Sequence, residues 1–157
     1  MAQPFITWDD NWNNVIRYLF NDIELKKLMR IPEKRFDNIV DFRDRYFVAG
    51  ESSDAIVIDE DVRLVYYMTN SPNQIGKNAY KKYLEIDIYV KKDHLYDVRP
   101  DRLKRRDKAI FERLKHLLTG TKYVCRMAYR YADDYDASTR TIGYKRYHVV
   151  FSYNITT

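Results

Sequence analysis

The chain has 157 residues, the size of one domain, because a single hydrophobic core usually serves roughly 100–200 residues. Hydrophobic residues make up 45% and charged residues 32%, so there are enough apolar side chains for a core, and disorder throughout is excluded. The four glycines and four prolines exclude collagen-like repeats, low-complexity linkers and a glycine-rich phosphate-binding loop. We therefore interpret residues 1–157 as a single domain.

The cysteine content and the net charge limit which cellular compartment and which partners suit the chain. The single cysteine, Cys125, excludes an intrachain disulfide. The N-terminal sequence MAQPFITWDD lacks the basic and then apolar run of a secretory signal, and no apolar stretch approaches the ~18–20 residues of a membrane span. We expect a soluble protein that folds in a reducing compartment and does not contact membranes. The net charge of +5 permits contact with nucleic acid or an acidic partner without requiring it.

Apolar residues at helical spacing predict the first element, a helix over 7–29. The stripe consists of Trp8, Trp12, Val15, Ile16, Leu19, Phe20 and Ile23. Thr7 and Asp10 resemble a capping box, and residues 21–22 are a possible interruption. Pro32 ends the pattern, since proline disfavours a helical residue before it.

Residues 33–61 are poorly assigned by their pattern. Residues 36–42 are compatible with a helix face, 46–48 with a short strand and 50–54 with a loop tip. This segment is either a loop or an insertion into the domain.

Two strands with a long, mobile connection are predicted next. Residues 62–68 are β-branched and aromatic, and residues 84–90 alternate apolar and polar positions, as a strand with one buried face requires. Turn-forming residues follow the first strand. We expect an antiparallel hairpin whose loop spans 70–81.

A second helix and a second hairpin complete the predicted fold. The helix is expected over 101–118, with Asp101 as N-cap and Gly120 in a left-handed conformation at its end. The hairpin strands are expected at 123–131 and 144–155, joined by a loop over 132–143. The fold class predicted from these elements is α+β: a single domain with about four antiparallel strands packed against two main helices, with long hairpin loops.

No pattern of reactive residues predicts catalysis. The histidines, His94, His116 and His148, are scattered, without the spacing of metal ligands or paired cysteines, and no serine elbow is present. Glu85 and Asp87 invite comparison with the acidic pairs of magnesium-dependent nucleases, but no lysine shares their strand face at short spacing. The pattern favours a solvated face of a half-buried sheet. We expect no enzyme activity, no metal and no cofactor.

Two charged segments are candidate contact surfaces. Residues 99–115 hold eight basic against three acidic side chains, and the phosphate-contacting candidates are Arg102, Lys104, Arg105 and Lys108. A solvated helix face is the alternative, because no aromatic side chain interleaves with the charges. The last predicted loop is acidic, and we interpret it with the neighbouring tyrosines as a possible interface formed by Asp133, Asp134, Asp136, Tyr129, Tyr131 and Tyr144. The basic helix and the acidic loop are possible complementary halves of a head-to-tail contact between copies; two unrelated surface features are the alternative.

The order of these elements resembles the tail terminator (tail-completion) and neck, or head-to-tail connector, proteins of tailed bacteriophages. The resemblance rests on the half-buried strand at 84–90 leading into the second helix and on the closing strand at 144–153. No catalytic or binding motif defines these families, so no residue role is transferred. The resemblance implies a structural virion protein in a hexameric ring at the head–tail junction, made in the host cytoplasm. Its expected partners are its own copies and the tail tube, neck and portal proteins, and DNA passing through the lumen is a further candidate.

The basic segment leaves a second function class open. A small nucleic-acid-binding regulatory or processing protein would use the side chains of 99–115 to neutralise phosphates, and its affinity would fall steeply with salt. A ring-sized oligomer favours the structural class, and a salt-sensitive DNA complex of a monomer favours the other.

Overall fold

The sheet and helices are seen in a computed structural model that describes residues 8–50, 59–69, 74–76, 79–98, 104–120 and 128–156. The class is α+β, as predicted, with helices packed against a single mixed sheet. The helices are α1 (Trp8–Phe20), α2 (Ile23–Leu28), α3 (Ile39–Asp41) and α4 (Arg106–Thr119). The strands are β1 (Phe47–Ala49), β2 (Val62–Thr69), β3 (Gln74–Gly76), β4 (Ala79–Lys91), β5 (Arg130–Ala137) and β6 (Tyr144–Thr156). No helix in these ranges is long and apolar enough to cross a membrane.

The helical N-terminal region breaks where the sequence predicted an interruption. Asp22 caps α2, its carboxylate accepting a hydrogen bond from the Leu25 amide at 2.8 Å. Arg113 of α4 donates to the same carboxylate at 2.5 and 2.9 Å, which fixes the break against the second long helix. The predicted apolar stripe is confirmed for Trp12 to Leu19, but Ile23 is exposed because α2 starts a new helical phase.

The sheet has the strand order β1-β2-β4-β6-β5, with β3 attached to β4. The predicted antiparallel pairs β2–β4 and β5–β6 are confirmed, and β4 and β6 pair antiparallel over 13 residues at the centre. Two short strands were not predicted in this form: β1 is parallel to β2 at the edge, and β3 pairs with the start of β4. Four antiparallel strands therefore form the body of the sheet, as expected.

The predicted hairpin loops are too long. Residues 70–81 do not form one loop, because β3 occupies 74–76 and β4 begins at Ala79. Residues 132–143 are wrong as a loop as well: β5 continues to Ala137, so the turn spans only 138–143. The acidic side chains of this segment have low strand propensity, which favoured a loop in the sequence prediction. Pairing with β6 nevertheless makes it a strand.

The second helix starts later and ends differently from the prediction. It begins at Arg106, after a non-helical Arg105, and Asp101 lies outside the described residues. Gly120 has a right-handed φ of −72° and its N–H donates to the His116 carbonyl, so the predicted left-handed cap is wrong. The first strand of the last hairpin was predicted at 123–131; residues 123–127 lie outside the described residues.

The core lies between the helices and one face of the sheet. The inward residues of β4, namely Leu84, Ile86, Ile88 and Val90, are fully buried, and those of β6 described here, Tyr147, Val149, Phe151 and Tyr153, are nearly so. Trp12 of α1 packs on Phe47 and Tyr66, with ring centroids 5.9 and 4.7 Å away. The alternation that predicted the two long strands therefore identified the core face correctly.

Candidate interaction surface

The strand β5 lies at one edge of the sheet. Within the described residues it pairs only with β6, and most of its side chains are exposed. Tyr131 and Tyr135 are 42% and 50% exposed. An edge strand offers backbone N–H and C=O groups to another strand, and exposed tyrosines add amphipathic contact area. We call β5, the turn 138–143 and the adjoining end of β6 the hairpin surface.

The tip of the hairpin presents an isolated apolar side chain to solvent. Ile142 is 95% exposed, while the next residue, Gly143, turns the chain with a φ of +82°. The Gly143 carbonyl accepts a hydrogen bond from the Lys92 amide at 2.9 Å, so the base of the turn is fixed to the end of β4. An isoleucine held outward on an anchored turn is available for contact with another molecule.

The acidic residues on β5 are engaged within the chain. Asp134 accepts hydrogen bonds from the hydroxyls of Tyr131 and Tyr147. The bond to Asp134 raises the pKa of Tyr131 to about 12, because the carboxylate favours the protonated phenol. Asp136 accepts from Arg105 at 2.6 Å, and this bond holds the pKa of Asp136 below its usual value. Asp133 accepts from the Asp134 amide at 2.8 Å.

Two of the predicted interface tyrosines are unavailable for contact. Tyr129 is buried and packs on Tyr153 with ring centroids 5.5 Å apart. Tyr144 is also buried, and its hydroxyl donates to the Glu60 carbonyl at 2.6 Å. The sequence could not show this burial, because Tyr129 belongs to the main core whereas Tyr144 packs in a small separate cluster with Val65 and Tyr89, and both contacts depend on residues distant in sequence. Tyr131 and the three aspartates do lie together on β5.

The basic segment is largely compensated inside the chain. Lys104 pairs with Glu112 at 2.7 Å, and Arg105 pairs with both Asp107 and Asp136 at 2.6 Å. Lys108 is exposed, and Arg102 lies outside the described residues. Arg105 of the basic segment and Asp136 of the acidic one meet within one chain, and the head-to-tail contact between copies stays a prediction.

Sequence patterns missed a buried polar cluster on the sheet face opposite the helices. Glu85 and Asp87 were expected on a solvated face, but Asp87 is buried and bonded to both Arg146 and His148. The only sequence signal was the matching of charged positions on β4 and β6, which becomes visible once the register is known. No protein-family model matches the chain, and no curated protein matches it in sequence.

Proposed function

We propose that this chain is a non-enzymatic structural subunit that assembles with its own copies into a ring, expected to be a hexamer, at the head–tail junction of a tailed bacteriophage. In that place it would terminate the tail tube or join it to the neck and portal. The observation that supports the proposal is the hairpin surface, with a strand edge that no other described strand pairs and with its outward Ile142.

The two edges of the sheet suit a directional contact. The edge formed by β5 is eight residues long, whereas the opposite edge, β1, has three. A closed ring needs two different surfaces on each subunit, one receiving what the other presents. A long exposed edge on one side of the molecule can supply one of these surfaces, and the resemblance in element order supplies the setting.

The alternative of nucleic-acid binding has less support. Phosphate binding needs cations that are free to replace counterions. Lys104 and Arg105 instead form ion pairs of 2.6–2.7 Å with carboxylates of the same chain, which would have to be broken or shared. A DNA affinity that falls steeply with salt and is lost in Lys104→Ala would favour this alternative over a ring.

The mass of the purified protein tests the proposal. We expect light scattering after size exclusion to give about 115 kDa, six times the chain mass of 19.1 kDa. Ile142→Asp should shift the population to monomer with an unchanged melting temperature, because a fully exposed side chain contributes nothing to the core. In phage carrying this variant, electron microscopy should show heads and tails that are not joined.

A matched control is available away from the hairpin. Val40 is also an exposed aliphatic residue, at 52%, so Val40→Asp makes the same chemical change elsewhere. We expect Val40→Asp to leave the ring intact. Two outcomes would contradict the proposal. One is a wild-type protein that stays monomeric at about 100 μM, a concentration at which even a weak interface with a Kd near that value would be half occupied. The other is a ring that is equally stable in both variants.

A further inference from the structure

A polar row crosses the sheet on the face opposite the helices. His148 of β6 lies directly opposite Asp87 of β4 and opposite Tyr135 of β5. Glu85, two residues before Asp87, lies opposite Tyr67 of β2. The strands β2, β4 and β5 therefore each place at least one side chain around the imidazole on β6.

Both nitrogens of the His148 ring face carboxylates. Nδ1 lies 2.7 Å from Asp87 Oδ1, and Nε2 lies 3.0 Å from Glu85 Oε1. A neutral imidazole carries one N–H, so it can donate to only one of these oxygens and would leave two lone pairs facing each other at the second. His148 is only 2% exposed, so bulk water does not solvate the second contact. With both carboxylates ionised, each ring nitrogen must carry a proton to make both contacts favourable.

The surrounding charges balance only when the ring is cationic. Arg146 of β6 donates to both oxygens of Asp87, at 3.0 and 3.2 Å. Two carboxylates then face a guanidinium and an imidazolium. The groups from the flanking strands are phenols: the rings of Tyr67 and Tyr135 lie 6.2 and 5.0 Å from the imidazole. Loss of the imidazole proton would leave the buried Asp87 and the partly buried Glu85 sharing the Arg146 guanidinium, with one positive charge fewer beside them.

We propose that the protonated His148 ring bridges Glu85 and Asp87 in the folded protein, and that this proton makes the central β4–β6 ladder an alkali-sensitive lock. The lock holds β5 as well, because Tyr135 packs on the same ring. This inference stands independently of ring formation, since every group in it belongs to one chain.

The pKa of His148 moves in the direction that the lock requires. Burial alone would lower the pKa of this imidazole, but the hydrogen bonds and charges of Asp87 and Glu85 outweigh burial and raise the pKa above its ordinary value. A raised folded-state pKa stabilises the fold fully below the unfolded pKa, and that contribution is lost as pH rises through the folded pKa. The lock therefore weakens on the alkaline side of about 6.5, the ordinary pKa of histidine.

Proton titration of the folded protein tests the bridge. The chain has three histidines, so the double variant His94→Gln/His116→Gln leaves His148 as the single imidazole to follow by NMR with labelled histidine. We expect its midpoint in the folded protein to lie above the midpoint of the same residue in urea. Glu85→Gln should lower the folded midpoint, whereas Glu112→Gln, which removes an exposed carboxylate on α4, should leave it unchanged. A folded midpoint at or below the urea value would overturn the proposal.

Thermal unfolding gives a second, independent measurement. The melting temperature of the wild type should fall between about pH 6 and pH 9, the region above the ordinary histidine pKa. Glu85→Gln should show a smaller fall over the same interval, because one of the two carboxylates that raise the pKa is gone. A fall of equal size in wild type and Glu85→Gln would overturn the assignment to this cluster.

Discussion

Replacing Arg106 by alanine is expected to remove about 3 kcal/mol from the free energy of unfolding. The Arg106 side chain is almost fully buried, and its guanidinium donates to the carbonyls of His94 and Leu28 at 2.9 and 2.8 Å and to Asp97 at 2.6 Å. One side chain thus connects the start of α4 to the end of α2 and to the turn after β4.

The magnitude follows from those three bonds. A hydrogen bond that involves a charged group contributes about 1.5–3 kcal/mol to stability, and a carbonyl that regains water on mutation recovers part of that value. Asp97 is half exposed and keeps a contact with His94 at 2.7 Å, so its bond to Arg106 counts least. We take about 1–1.5 kcal/mol for each carbonyl bond and less for Asp97, which gives about 3 kcal/mol in total.

Urea unfolding followed by circular dichroism measures the loss. With a denaturant slope of about 1–3 kcal/mol/M, the midpoint should fall by about 1–3 M with an unchanged slope. Arg106→Lys should lie between wild type and alanine, because a single ammonium cannot reach three acceptors in this geometry. Lys108 is an exposed cation two residues further along α4, and Lys108→Ala should stay within about 0.5 kcal/mol of wild type. If Arg106→Ala unfolds at the same midpoint as Lys108→Ala, the buried guanidinium does not hold these segments together.

Three further outcomes follow from the core and the N-terminal helices. Ile86→Asp and Leu114→Asp should each prevent folding, as measured by circular dichroism, because each places a charge at a fully buried site. The cost is several kcal/mol, out of a typical stability of about 5–15 kcal/mol. Wild-type melting temperatures in both variants would refute the assigned core. Burial alone would raise the pKa of Asp22, but the arginine and amide bonds outweigh it and lower that pKa. Asp22→Asn should therefore reduce the melting temperature at pH 7, with the difference from wild type closing as pH falls through the folded pKa of Asp22; a constant difference down to pH 2 would contradict this. Lys26→Met should lower the free energy of unfolding measured in urea by about 1–2 kcal/mol, because the Phe36 carbonyl loses the ammonium group now 3.0 Å away. An unchanged free energy of unfolding would show that water replaces the ammonium.

The sequence pattern predicted the parts of the fold that depend on local periodicity. Residues 84–90 alternate, and successive side chains of a strand point to opposite faces, so the apolar set on the core face of β4 followed directly. The alternation did not show that Asp87 and Tyr89 on the other face are buried as well. The break at 21–22 was also visible, because Asp22 is a favoured cap residue.

What the sequence could not show depends on partners far along the chain. Arg106 counted as one more cation in a basic segment, and its burial depends on carbonyls contributed by residues 28 and 94. His148 lacked a visible partner because Glu85 and Asp87 lie more than 60 positions earlier and meet it only through strand register. Likewise β5 is a strand because β6 lies beside it, not because its own residues favour one.

The central ladder of the sheet also bears on how fast the chain folds. Lys91 pairs with Tyr144 and Ala79 with Thr156, so partners across β4 and β6 are 53 to 77 positions apart, whereas those in the β5–β6 hairpin are 9 to 22 apart. Closing long loops before their contacts form costs entropy, and proteins dominated by such pairings fold in milliseconds to seconds. The two hairpins can form early because each closes a short loop. We expect joining along β4 and β6 to limit the folding rate. Both hairpins are then already formed in the transition state, so a substitution that stabilises either hairpin should raise the refolding rate more than it lowers the unfolding rate.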